Sequence, residues 1–183
     1  MLRHKITIIT ISFLAVLALA YPIEQLIYDR TIIQPLTDEL LQMTDIESIT
    51  VKGPRGKKIL EVILVESANL QQAYSMIETT ASKYLQDNLS IIELKDRRNE
   101  LLQSIYNRFN FSIQEAIMTG NFSVLEEHFQ TILEDEPRPI RYNLYVDFDN
   151  VYIQIEDGKY ILYEIEQRRK GERDNEPTGK FLL

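Results

Sequence analysis

The strongest hydrophobic signal in the chain lies at its start. From Ile6 to Ile23 there is no charged residue over 18 positions, flanked by Arg3, His4 and Lys5 on one side and Glu24 on the other. A spanning helix needs about 20 apolar residues, with roughly 17 as the lower limit. A signal peptide needs an apolar core of about 7–15 residues followed by a small-x-small cleavage site. Ala18-Leu19-Ala20 supplies such a site, so residues 6–23 read as a transmembrane anchor or as a signal peptide cleaved after Ala20. The anchor reading is preferred. Pro22, Ile23, Leu26, Ile27 and Tyr28 carry the apolar character past the cleavage point, and Tyr21 and Tyr28 sit where interfacial aromatics are common. Basic residues before the segment place residues 1–5 in the cytoplasm and the body outside it, as a single-pass protein of the cell membrane.

Beyond the anchor the period changes repeatedly. Over 24–45, Leu26, Ile27, Ile33, Leu36, Leu40, Leu41 and Met43 recur at helical spacings and predict a stalk, which Pro35 bends or restarts. Ile49 and Val51 lead into a Gly-containing turn at 52–58. Residues 59–65 return as a nearly continuous apolar run, the pattern of a central strand covered on both faces. A stripe of Leu70, Ala73, Tyr74, Ile77, Ala81 and Leu85 predicts a helix over 68–86, and 89–94 a third strand. Residues 46–96 thus form a small α/β subdomain.

Residues 97–168 predict a helix pair and a β-meander. Leu101, Ile105, Phe109, Ile113 and Ala116-Ile117 mark a helix over 97–118 that Gly120 ends. Ser123-Val124-Leu125-Glu126 matches a capping box, ahead of a helix carrying Phe129, Ile132 and Leu133. Three strands follow. Tyr142, Leu144, Val146 and Phe148 alternate with polar partners, Asp149-Asn150 turns into 151–155, and Asp157-Gly158 turns into 160–165. The charged, aperiodic stretch 169–183 predicts a disordered tail. The fold class is α+β: an N-terminal transmembrane helix and stalk, an αββαβ unit, an antiparallel helix pair, and a three-stranded antiparallel meander.

The order helix, strand, strand, helix, strand over 35–95 resembles the small ring-building modules of membrane-anchored bacterial secretion and sporulation proteins. It is also similar to the dimerising tail domain of cation-efflux transporters. The resemblance rests on element order, which many unrelated folds share, and transfers no residues.

Composition narrows the chemistry. The 183 residues contain no cysteine, which excludes disulfides, thiolate metal sites and a cysteine nucleophile. Without Arg3 and Lys5, 18 basic side chains face 28 acidic ones, so nucleic acid is not expected as a partner. His128 is the single histidine beyond the leader, too few for a histidine metal site, and no serine motif accompanies it. Asp147-Phe148-Asp149 has the form of a metal-holding Asp-x-Asp, but its second aspartate is also a favoured turn residue. No catalytic, cofactor or metal residue is expected, and the protein is read as a non-enzyme.

Two features point to contacts instead. Residues 52–58 carry Lys52, Arg55, Lys57 and Lys58 without an acidic residue, a candidate anion contact or a solvated hairpin tip. Tyr145, Tyr152, Tyr160 and Leu162 are read as one phase of the meander, a candidate surface for a protein partner or a second copy unless the helices cover it. The expected partners are the lipid bilayer, through 6–23, and protein. The expected role is structural or assembly work in a bacterial envelope complex, with a tethered or secreted sensor or ligand-binding module as the alternative.

Overall fold

The computed structural model describes residue 13 and residues 23–54, 56–134 and 136–168. The expected anchor, apart from Phe13 and Ile23, lies outside the described residues, as does the expected tail 169–183. Among the described residues no helix is long and apolar enough to cross a membrane. Among the described residues the fold is mixed α+β, with four α-helices and two three-stranded sheets, one mixed and one antiparallel. The described residues fall into two compact units. One comprises residues up to 68 together with 73–93, and the other 69–72 together with those from 94 onward.

In the first unit the stalk is helical from residue 23, passes through a π-helical turn at Asp29–Ile33, and continues as α1 (Gln34–Leu41). Pro35 explains the widened turn. Proline lacks the N–H that would bond the carbonyl four residues back, and its ring crowds that carbonyl. The wider register places the Gln34 N–H on the Asp29 carbonyl instead, so the helix continues without a break.

The first sheet is ordered β1 (Ile46–Lys52), β2 (Lys58–Leu64), β3 (Leu89–Lys95), with α2 (Leu70–Leu85) between β2 and β3. Strands β1 and β2 are antiparallel, pairing Val51 with Leu60 and Lys52 with Ile59. β2 is central in order but not covered on both faces. Leu60, Val62 and Leu64 are buried, whereas Ile63 on the other face is 40% exposed. A continuous apolar run therefore masked a one-sided strand. The α2 stripe Ala73, Ile77, Ala81 and Leu85 is buried as its spacing requires. Lys83 and Tyr84 tie α2 to α1, both bonding the Glu39 carboxylate at 2.9 and 2.6 Å.

The second unit pairs α3 (Glu100–Thr119) with α4 (Phe122–Glu134) and continues into β4 (Arg141–Val146), β5 (Asn150–Asp157) and β6 (Tyr160–Gln167). Asn99 caps α3, its side chain accepting from the Leu102 N–H at 2.8 Å, and Gly120 ends it at φ 75°. The helices are antiparallel: Phe109 meets Phe129, and Arg108 reaches forward to Glu136. The two phenyl rings stack with centroids 3.7 Å apart. α4 begins at Phe122, one residue ahead of the expected cap, so Ser123 lies inside the first turn. Glu126 does other work, accepting from the Tyr142 hydroxyl on β4 at 2.6 Å.

The core of this unit lies between the helix pair and one sheet face. Ile105, Phe109, Ile113, Leu125 and Phe129 pack with Val151, Ile153, Ile155 and Leu162. Arg97 lies beside the edge of β6 and exchanges both backbone hydrogen bonds with Ile161. The sequence pattern carries no sign of that pairing.

Candidate functional site

The β1–β2 hairpin tip brings together residues that are far apart in sequence. Gly53 turns the chain at φ 94°, and a Cβ there would lie 2.2 Å from the Lys57 carbonyl oxygen, so only glycine fits. Lys58, expected as a free cation, is buried. Its ammonium donates to the Gly53 carbonyl at 2.9 Å and lies 5.3 Å from the ring centroid of Tyr28 on the stalk. Both interactions compensate the burial of a charge. Lys52 pairs with Glu61 across the hairpin at 2.6 Å, yet its side chain remains 56% exposed. Lys57 is exposed, and Arg55 lies outside the described residues. Of the expected anion contact, Lys52 and Lys57 present charge outward, and Lys58 holds the loop to the stalk.

On the stalk itself, Ile23, Leu26 and Ile27 are all more than half exposed, while Tyr28 is buried. At helical spacing the three form one stripe. Tyr28 falls off that stripe and docks the helix to the body through Lys58.

The meander distributes its tyrosines differently from the expected phase. Tyr145 and Tyr152 face each other across β4 and β5. On β6, however, the partner of Tyr152 is Ile165, while Leu162 opposes Ile155 and Tyr160 opposes Asp157. A tight two-residue turn pairs odd positions with even ones, so Tyr160 and Leu162 belong to the opposite sheet face. Tyr152 and Leu162 are buried, Leu162 in the core beneath the helices, and Tyr145 is half-buried. The four residues do not form one exposed surface. The helix pair covers the other face of the sheet from the one Tyr145 and Tyr152 occupy.

Asp147 is the hub of the β4–β5 turn. Its carboxylate accepts from the N–H groups of Asp149 and Asn150 at 2.9 and 2.8 Å and from the Tyr152 hydroxyl at 2.7 Å. Arg168 also donates to its backbone carbonyl. Burial pushes the carboxyl up, but the Tyr152 hydroxyl, the two N–H groups and the Arg168 charge outweigh burial and hold it below the ordinary carboxylate range. The Asp-x-Asp is a turn device. Among the described residues no cluster of three or more metal-ligating side chains occurs.

Two arrangements have no local signature in the sequence. Ser112 Oγ on α3 and His128 Nδ1 on α4 lie 3.1 Å apart, brought together only by the antiparallel pairing. His128 is exposed, and the pair sits on the outer helix surface. Arg98 is the second. It bonds Asp96, Gln103 and Glu164, and its pKa is raised above the guanidinium norm, chiefly by Asp96. Asp96 in turn accepts from the Tyr163 N–H at 3.0 Å, so this network clamps the start of α3 to β6. Beside it lies an open polar depression of about 460 Å³ lined by Arg98, Asn99, Glu100, Gln103, Ser104 and Asn107.

Comparison with protein-family models, with curated proteins and with solved structures found no match for this chain.

Proposed function

We propose that this protein is a membrane-anchored, non-enzymatic assembly component of a bacterial envelope complex, with residues 1–5 cytoplasmic and the α+β body on the outer side. The observation that carries the reading is continuity. The uncharged stretch 6–23 runs directly into a helix that keeps Ile23, Leu26 and Ile27 outward. Apolar side chains exposed on consecutive helical turns suit a lipid or protein environment.

A protein contact is supported by α3. Phe111 and Met118 are 81% and 87% exposed and stand seven residues apart on one helix face. Asp147, Asn99 and Arg98 are engaged in a turn, a cap and a clamp, which suits a structural role for these three groups.

The test is the size of the detergent-extracted full-length protein, native and with Phe111→Ser and Met118→Ser together. The reading predicts a high-mass species that the double variant loses while keeping its circular dichroism. A native protein running as a single copy under mild extraction contradicts it. For the alternative of a ligand-binding module, a small ligand that raises the melting temperature is the corresponding sign.

A further inference from the structure

The hairpin tip and the base of the stalk are separate in sequence and joined in space. Lys58 sits with its ammonium 5.3 Å from the Tyr28 ring centroid. Tyr28 follows directly on the outward stripe Ile23, Leu26 and Ile27, which begins at the last residue of the uncharged stretch 6–23. At about 1.5 Å per helical residue, Tyr28 stands roughly 7.5 Å beyond Ile23, the end of that stretch, close to one Debye length at physiological salt. The tip is therefore held at the height where lipid headgroups begin if 6–23 enters a bilayer.

The chemistry of the tip fits that height. Residues 52–58 contain no acidic side chain in a chain of net charge -8. Lys57 is exposed and the Lys52 side chain is 56% exposed, its ammonium shared with Glu61 on β2. Arg30, two residues past Tyr28, is exposed as well. Long basic side chains near the end of an apolar segment reach naturally for phosphate.

We infer that the β1–β2 hairpin tip, through Lys52 and Lys57, is a contact site for anionic phospholipid headgroups, held against the bilayer by the Lys58–Tyr28 contact. The inference rests on the anchor reading above. Its function would be orientation: one helix fixes distance from the membrane but not rotation about the helix axis, and a second contact fixes the rotation.

The chain has no tryptophan, so a single introduced one reports cleanly. Full-length protein carrying Pro54→Trp, and separately Leu26→Trp, is reconstituted into vesicles containing brominated lipid. One set is phosphatidylcholine alone, and the other phosphatidylcholine and phosphatidylglycerol in equal parts. The expected result is quenching at position 54 that is strong only in the anionic vesicles and is lost at about 1 M salt, where the Debye length is roughly 3 Å. Lys52→Gln and Lys57→Gln each shift the contact equilibrium by about fivefold.

Position 26 is quenched in both vesicle types. Quenching at 26 with the same weak signal at 54 in both lipids overturns the tip contact alone. No quenching at 26 overturns the anchor reading and the tip contact with it.

Discussion

Lys58 Nζ lies 5.3 Å from the ring centroid of Tyr28 while donating to the Gly53 carbonyl at 2.9 Å, so one buried ammonium fastens the first hairpin both to itself and to the stalk. Replacing it by methionine keeps the stem and deletes the charge. Lys58→Met is expected to lower stability by about 1–3 kcal/mol, the sum of a hydrogen bond and a partly desolvated cation–π contact. Lys57→Met at the exposed neighbour is expected within about 0.5 kcal/mol of native. Urea denaturation of the two variants checks the difference, and equal midpoints would exclude the fastening role.

The β4–β5 turn is expected to make stability depend on acid. The folded Asp147 carboxyl lies below its ordinary value, so its contribution is fully present above the unfolded pKa and is lost as pH falls through the folded one. Asp147→Ala leaves three donors without their acceptor and is expected to cost about 1–3 kcal/mol near neutral pH. The loss relative to native should shrink as pH falls into that acid range, which urea midpoints across a pH series will show.

Phe109 and Phe129 are both fully buried and stacked at the centre of the second unit. Phe129→Ala is expected to destabilise by about 3–5 kcal/mol through lost burial and a residual cavity. Phe111, only two positions from Phe109, is 81% exposed, and Phe111→Ala is expected to change stability by less than about 0.5 kcal/mol. Thermal unfolding separates the two directly.

Gln86 follows the last residue of α2 at φ 48°, a left-handed conformation that glycine adopts without cost. Gln86→Gly is expected to raise stability by up to about 1 kcal/mol, relief of the Cβ strain exceeding the added chain entropy. A lower urea midpoint for the variant would show that Gln86 gains more from its side chain than the strain costs.

These positions also show how much of the molecule the sequence discloses. The order of elements was legible because each strand and helix has a period of its own and the turns carry Gly, Pro or Asp-Gly. Gly120 marked the end of α3 correctly for the same reason, at φ 75°. Relations between elements were legible only where a parity rule was applied. Tyr145 opposite Tyr152 follows from the register, yet Tyr160 and Leu162 fall on the other face because the second turn switches odd for even. The one-sided burial of β2 depended on what covers it, and residues 58–64 do not encode that.

The site residues were harder still. Lys52, Lys57 and Lys58 look alike in a basic run, but one is buried under an aromatic ring and the others point outward. Ser112 and His128 sit sixteen residues apart and meet only because α3 and α4 are antiparallel. Nothing local announces either fact. The capping-box motif failed for a related reason: Glu126 found a better partner in Tyr142 than in the helix start.

In the proposed role residues 6–23 stay attached and hold the body at a membrane. The direct measurement is the mature N-terminus of the native protein, read by mass spectrometry from a washed membrane fraction. The expected result is that Met1 or Leu2 is retained and that the protein stays with the membranes. A chain beginning at Tyr21 and recovered in the soluble fraction would contradict it.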